Sequence, residues 1–262
     1  MNSKVSVVIR NKNQSGALEF LLKNLNERYK EDIDEIIVID NLSVDGSTNI
    51  IQKYGAKLVT IEKFSYGGSA NLAAECSSNS IIVVFSAHAY PVSHDFFKQI
   101  VHLFRKNEKL AGLRCLHNPN DYRNYINRIS SKEDPNKSSL IFCGSAFNKK
   151  VWELHRFKED IKTFEDKEWS LRVLKEGFEI EFSPSIFCYD LNRTKQQNFF
   201  RFKNEIIGSY QLWHREFNYR WALKALLGSI FFIFKNAIMD LFYAFKRFLF
   251  MLNFISDKPQ KF

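Results

Sequence analysis

Four short apolar runs limit what this chain can fold into more than any other feature. They are "VSVVI" (Val5–Ile9), "EIIVID" (Glu35–Asp40), "AKLVTI" (Ala56–Ile61) and "IIVVF" (Ile81–Phe85). Each is β-branched and nearly continuous rather than alternating, and helical patterns lie between them. Leu18, Leu21, Leu22 and Leu25 recur at i, i+3, i+4 and i+7 behind a candidate N-cap, Ser15, which predicts a helix. A second helical pattern runs through Ile50, Ile51 and Tyr54 and stops at Gly55. "GGSANLAAECSS" has the small residues of a helix packed close to a sheet, and Ser93 precedes a pattern through Phe96, Phe97, Ile100, Val101 and Phe104. Strands buried on both faces and alternating with helices predict an α/β fold with a mostly parallel sheet flanked by helices. Ligands of such sheets bind beyond the carboxyl ends of the strands. Function is therefore expected in the loops after Ile9, Asp40, Ile61 and Phe85.

Further along, Asn118 to Lys137 is polar and contains Pro119 and Pro135, which reads as a long loop. Order returns at "LIFCGSAF", followed by a predicted helix from Phe164 to Glu176 and a strand "FEIEF". The 262 residues suit one α/β domain with an appendage. Charge marks the join. From Arg193 onward there are 12 Lys/Arg against 4 Asp/Glu, a net of +8 out of the whole chain's +9. A near-neutral body with one basic, aromatic tail argues against nucleic acid as partner and for a single dedicated basic surface. The expected division is residues 1–192 and 193–262. No leader is expected at the N-terminus, and the widely spaced Cys76, Cys115, Cys143 and Cys188 read as free thiols in a reducing compartment.

Five segments in order carry a family resemblance. They are "VSVVIRNKN", "EIIVIDNLSVDGST", "EKFSYGGSANLAAECSSNSIIVVFSAHAYP", "GSAFNKKVWE" and "FEDKEWSLRVLKEGFEIEFSP". Together, over roughly residues 4 to 210, the chain resembles inverting family-2 glycosyltransferases of the GT-A fold. The "FSYG" and "SAH" pieces resemble a bacterial, rhamnosyltransferase-like subgroup that builds surface polysaccharides such as lipopolysaccharide or capsule. The resemblance implies a nucleotide-diphosphate sugar as donor and a glycan acceptor.

It also implies site residues. Asp40 would accept a hydrogen bond from the nucleotide base, with Arg10, Asn11 and Asn13 as the other wall of that pocket. Asp45 would shape the loop or reach the ribose; Asp, Asn, Gly and Ser are also plain turn formers. Gly67 and Asn71 would pass the donor phosphates, Gly67 by letting the backbone come close. Asp166 would be the general base that takes the acceptor proton, with Glu165 beside it. Acids at a helix start also simply suit the dipole. Trp169, three residues after Asp166, shares its helix face and would stack on the acceptor sugar.

Ser86 and His88 stand where this family usually has an acid–x–acid metal motif. Imidazole suits Mn2+ better than Mg2+, which prefers oxygen. Three readings of His88 are open: it holds a metal, it stays neutral and hydrogen-bonds the diphosphate, or it is a merely structural histidine. The second metal ligand is open, since "CYDLNRT" has Tyr189 and Leu191 where the resembling proteins have histidines, and Asp190 is the only ligand type nearby.

In the tail, residues 221–255, the longest stretch without a charge is Ala225–Phe234, short of the ~20 residues of a spanning helix. Lys224, Lys235 and Lys246 recur every eleven residues and so share one helical stripe. That suits one or two amphipathic helices lying in a membrane interface. A hydrophobic contact with a second copy, or with the catalytic body, is the competing reading. The combined expectation is a peripheral enzyme on the cytoplasmic face of a bacterial inner membrane, acting on a lipid-linked glycan. Rivals are a degenerate transferase kept as a membrane scaffold, and a nucleotidyltransferase that makes sugar nucleotides. The first is favoured by the lost acid motif; the second lacks a phosphate loop after the first strand.

Overall fold

The computed structural model describes residues 4–191 and 193–261. The strands are β1 (Val5–Asn11), β2 (Ile33–Asp40), β3 (Lys57–Thr60), β4 (Ile81–Ser86), β5 (Ala89–Pro91), β6 (Leu110–Leu116), β7 (Ser145–Asn148) and β8 (Glu179–Tyr189). The helices are α1 (Ser15–Arg28), α2 (Ser47–Lys53), α3 (Tyr66–Cys76), α4 (Phe96–Lys106), α5 (Pro119–Ile126), α6 (Pro135–Ser138), α7 (Lys149–Leu154), α8 (Glu165–Lys175), α9 (Lys195–Trp213) and α10 (Tyr219–Ser256). Among the described residues the strands form one sheet in the order β3-β2-β1-β4-β7-β6-β8-β5. The β1–β4 half is parallel throughout, β6 and β8 are parallel, and β7 and β5 run antiparallel to their neighbours.

Both faces of the sheet are buried at β1 and β4, as their continuous apolar runs require, whereas β3, expected to be equally buried, is a largely exposed edge strand. Val5, Val7 and Ile9 of β1 join α1 and α4 in one core, while Val8 joins α3, α7 and α8 in the other. The predicted stripe of Leu18, Leu21, Leu22 and Leu25 is the buried face of α1. Register then decides which residues meet at the functional edge. Pairing sets Asn11 beside Asp40 and Arg10 beside Ser86, at the carboxyl ends of three parallel strands.

The polar segment expected as a loop contains α5 and α6. Its prolines begin helices rather than interrupt a chain. Pro119 and Pro135 each occupy a first-turn position, where a missing N–H costs nothing, and Asn118 and Asp134 cap the turns ahead of them. A buried ion pair, Arg114 to Asp121 at 2.5 Å, fastens α5 to the end of β6.

The chain divides into two compact units, one running to Trp213 and one from His214. Helix α9, which lies beyond the division expected after residue 192, packs within the first unit. Gly208 of α9 lies so close to Thr163 and Phe164 that a Cβ there would come within 2.7 Å of Thr163 and 2.8 Å of Phe164. The Trp213 ring meets the Phe164 ring at 4.8 Å, and the Gln211 side chain accepts a hydrogen bond from the Lys162 N–H at 3.2 Å. Phe164 itself has φ of +71°, a left-handed conformation, as it enters α8.

The second unit is dominated by one continuous helix, α10, of 38 residues, which at 1.5 Å per residue is about 57 Å long. By length and composition it is long and apolar enough to cross a membrane. Its polar residues are nonetheless ordered around the axis. The Lys224–Lys235–Lys246 stripe is joined by a second one, Ser229, Asn236, Asp240 and Arg247, at helical spacings of seven, four and seven.

Candidate active site

The pocket begins where β1 and β2 end side by side. Asp40 is buried, and Asn11 Nδ2 donates to its Oδ1 at 2.7 Å. Ser43 closes the turn by donating its hydroxyl to Asp40 Oδ1 at 2.7 Å and its N–H to Oδ2 at 2.8 Å. A carboxylate has about four acceptor positions, so Oδ2 retains one for a ligand. Asn11 Oδ1 is buried with no partner. Asn13, with φ of +50°, locks the two loops together: its N–H donates to Ser43 Oγ at 2.8 Å and its Oδ1 accepts from the Val44 N–H at 2.9 Å. Asp45 does the same for two helices. Its Oδ2 accepts from the Ser15 N–H at 2.7 Å and its Oδ1 from the Ser47 hydroxyl at 2.6 Å, so it caps the starts of α1 and α2. Of the two roles expected for Asp45, the geometry serves the loop-shaping one.

Three expected contacts are replaced by packing. Gly67 does face a close neighbour, but that neighbour is the chain itself: a Cβ there would fall 2.0 Å from the Lys158 carbonyl oxygen. Asn71 is buried and fully bonded. Its Oδ1 accepts from Trp152 Nε1 and the Phe157 N–H, both at 2.9 Å, and its Nδ2 donates to Phe157 O at 3.0 Å and Glu159 Oε1 at 2.8 Å. It has no donor left for a phosphate. Trp169 is wholly buried, stacked on Phe157 with centroids 5.0 Å apart, and donates Nε1–H to the His155 carbonyl at 2.6 Å. The i, i+3 spacing places it correctly on a face of α8, but that face is the core, so it cannot stack on an acceptor.

The start of α8 is drawn into the pocket by Arg10. The Arg10 guanidinium lies 4.1 Å from the Phe142 ring centroid, donates to Ser69 Oγ at 3.2 Å, and stands 3.7 Å from Glu165 Oε1. Burial, reinforced by the charge of Asp166, holds the Glu165 carboxyl well above the usual carboxylate range, with Arg10 opposing. Asp166 is half-buried and aimed by two backbone N–H groups: Phe142 N–H donates to its Oδ2 at 2.9 Å and Lys167 N–H to its Oδ1 at 2.7 Å. Lys167 turns away to donate to Ser139 Oγ at 2.7 Å, and burial pushes its pKa down to about 8. Glu168 is occupied by Arg172 and Lys158.

At the end of β4, Ser86 pairs beside Arg10, and His88 follows in a half-buried turn. His88 Nδ1 is 2.7 Å from Gln14 Oε1, so Nδ1 carries the proton and donates, and Nε2 is left as a buried acceptor with no partner. Burial first, then the charges of Arg193 and Arg10, push the His88 pKa down to about 4; Asp190 opposes. The Tyr189 ring meets His88 edge-on at 4.8 Å, and Arg193 donates to the Tyr189 hydroxyl at 3.0 Å.

A divalent cation fits this set of groups poorly. Among the described residues no three His, Cys, Asp or Glu side chains are grouped to hold one. His88 Nε2 offers a single nitrogen lone pair, whereas Mg2+ takes oxygen and Mn2+ ordinarily takes several ligands.

Gln14, Ser43, Phe142 and Arg193 belong to the site and were not singled out by the motifs. Gln14 and Ser43 lie in loops whose ends the register brings together. Phe142 contributes an N–H and a ring face, which no residue pattern announces.

Comparison with known proteins bears on the whole arrangement. Residues 6–167 match the family described as Glycosyl transferase family 2. The chain is 24% identical over 233 residues to a dolichyl N-acetyl-alpha-D-glucosaminyl phosphate 3-beta-D-2,3-diacetamido-2,3-dideoxy-beta-D-glucuronosyltransferase of Methanococcus voltae, covering 75% of this chain and 70% of that one. Its fold is similar to a mannosyltransferase of Pyrobaculum calidifontis solved with GDP-Man and Mn2+, at TM-score 0.65 and 17% identity, over 83% of this chain and 66% of the other. It is also similar to glucosyl-3-phosphoglycerate synthase of Mycobacterium tuberculosis with Mn2+ and UDP-glucose, at TM-score 0.60 and 13% identity, over 80% and 79% of the two chains. The match spans well over half of the 262 residues, and the chain belongs to glycosyl transferase family 2, with the GT-A fold.

Proposed function

We propose that this chain transfers a sugar from a nucleoside-diphosphate donor to a lipid-linked glycan, with inversion at the anomeric carbon. The observation that carries the reading is the contact of Arg10 with Glu165 at 3.7 Å, which joins the donor pocket to the helix bearing Asp166. The base and ribose would enter beside Asp40, Asn11 and Arg10, and the diphosphate would lie over Ser86 and His88. The acceptor hydroxyl would approach from the Asp166 side, opposite the leaving group. Asp166 takes the hydroxyl proton as the oxygen attacks, a role that ordinarily contributes ~10²–10⁴-fold in rate. Its two backbone hydrogen bonds fix the carboxylate plane and leave lone pairs free for that proton.

The lipid-linked acceptor is supported by the Methanococcus voltae relative, whose name specifies a dolichyl phosphate sugar. Attachment to a membrane is supported by α10, whose charges keep to two stripes and leave the opposite arc apolar. Anionic lipids would add roughly 1 kcal/mol for each nearby basic residue. The enzyme would then be peripheral, on the cytoplasmic face where nucleotide sugars are made. "FSYG" and "SAH" support a hexose or deoxyhexose of the rhamnose type as the transferred unit.

The test is a donor screen with UDP-, GDP- and dTDP-sugars and a polyprenyl-phosphate-linked acceptor, reading nucleotide release and the anomeric configuration of the product. Asp166→Asn is expected to abolish transfer while nucleotide binding survives. Full activity in that variant, or a retained anomeric configuration, would sink the assignment.

A further inference from the structure

An inverting transfer releases a nucleoside diphosphate with growing negative charge, and a fixed positive charge must face it. The poor fit of a divalent cation leaves that requirement open. Arg193 is placed to meet it. The residue is half-buried, lies four positions beyond the end of the last core strand at Tyr189, and forms no ion pair among the described residues. One N–H goes to the Tyr189 hydroxyl at 3.0 Å, and the guanidinium carbon lies 5.8 Å from that ring. A guanidinium has five N–H donors, so most remain for a ligand. Pairing of β5 with β8 sets Ala89 beside Tyr189, and the Tyr189 ring touches His88. This chain of contacts leads from Arg193 to the carboxyl end of β4, where a ligand of such a sheet lies. Its charge is felt there, being second only to burial in keeping His88 neutral.

Other groups are less suited. Arg10 is already engaged by Glu165, Ser69 and Phe142. His88, held neutral by burial, supplies no positive charge to a diphosphate lying over it.

We propose that Arg193 is the countercharge for the leaving diphosphate, and that donor binding and transfer by this chain proceed without a divalent cation. The inference rests on the glycosyltransferase reading above. In the step, the acceptor oxygen forms a bond to the anomeric carbon and the bond from that carbon to the diphosphate oxygen breaks. The electron pair leaves with the diphosphate, which Arg193 holds by charge-assisted, two-pronged hydrogen bonds. The hydroxyl proton goes to Asp166.

Calorimetric titration of the full chain with UDP, GDP, dTDP and the three matching monophosphates, in EDTA and again in Mn2+, tests this. One diphosphate is expected to bind in EDTA with a Kd within about threefold of that in Mn2+. Arg193→Ala should weaken that diphosphate by about tenfold or more, and the matching monophosphate much less. Arg193→Gln, which keeps the side chain's size, should show the same loss at an unchanged melting temperature, and Arg193→Lys should recover part of it. Diphosphate binding that requires Mn2+ overturns this proposal and leaves the glycosyltransferase reading standing. So does wild-type affinity in Arg193→Ala, or a loss in Arg193→Gln that merely follows a fall in melting temperature. If none of the three diphosphates binds in either condition, both readings fall.

Discussion

Replacing Asn71 separates a phosphate contact from a structural staple. The side chain is 4% exposed and makes four hydrogen bonds, all to the segment from Trp152 to Glu159. Asn71→Ala leaves two buried donors, Trp152 Nε1–H and the Phe157 N–H, without acceptors. Each orphaned donor costs about 1–3 kcal/mol, so the sum is about 2–6 kcal/mol before any relaxation. For a chain of this size ~1 kcal/mol moves the melting temperature by about 2–4 °C, which puts the expected fall at about 4–24 °C. Near-ultraviolet circular dichroism, which follows the packed tryptophans of the catalytic unit, is the assay. Asn71→Asp is a useful companion. Its carboxylate still accepts from both N–H groups but faces Phe157 O and Glu159 Oε1, so it should be destabilised more at neutral than at mildly acidic pH. Diphosphate affinity in folded Asn71→Ala should match wild type. A melting temperature within about 2 °C of wild type, together with a tenfold loss of diphosphate affinity, would refute the reasoning and restore Asn71 to the phosphates.

Two further outcomes follow from burial. Trp169→Ala should cost about 3–5 kcal/mol in urea or heat denaturation, and Trp169→Phe should leave the acceptor KM unchanged; a raised KM at full stability would return the ring to the acceptor site. Since the His88 pKa is lowered from its usual 6.5 to about 4, folding favours the neutral ring, and the stability this gives is present above pH 6.5 and lost as pH falls toward 4. Glu165, whose pKa is raised, acts in the opposite sense over part of that range, losing stability as pH rises from about 4.5. The difference in melting temperature between wild type and His88→Gln should therefore narrow from pH 7 to pH 5; a constant difference would mean that His88 does not titrate in this way.

The layered architecture was legible because burial on both faces leaves its mark in consecutive residues, as in Val5–Ile9 and Ile81–Phe85. The edge residues Arg10, Asp40 and His88 were legible for a related reason: a polar residue at the end of such a run must stand at the carboxyl edge of the sheet. What a side chain does once there was less legible. Asn71 and Gly67 looked like phosphate residues because loops near a nucleotide and loops near another chain select the same small, polar types. Their true neighbours, Trp152 to Glu159, lie some ninety residues away, and no local pattern records the approach. Pro119 and Pro135 misled in another way, since proline both ends and begins helices, and only the capping bonds of Asn118 and Asp134 decide which. The tail's lysine stripe was visible at once. Its second stripe needed the knowledge that one helix runs unbroken from Tyr219 to Ser256.

Phe164 has a consequence for where this protein can be cut. A bulky residue held at φ of +71° costs on the order of 1–3 kcal/mol, and contacts outside its own backbone must offset it. Here those contacts come from Gly208 and Trp213 of α9. They act one residue before Glu165 and two before Asp166, at the turn that aims both carboxylates. A fragment ending at 192 would keep every strand of the sheet yet lose the clamp on that turn. The compact unit that holds this turn therefore ends at Trp213, with α9 serving as a brace for the turn that carries Glu165 and Asp166.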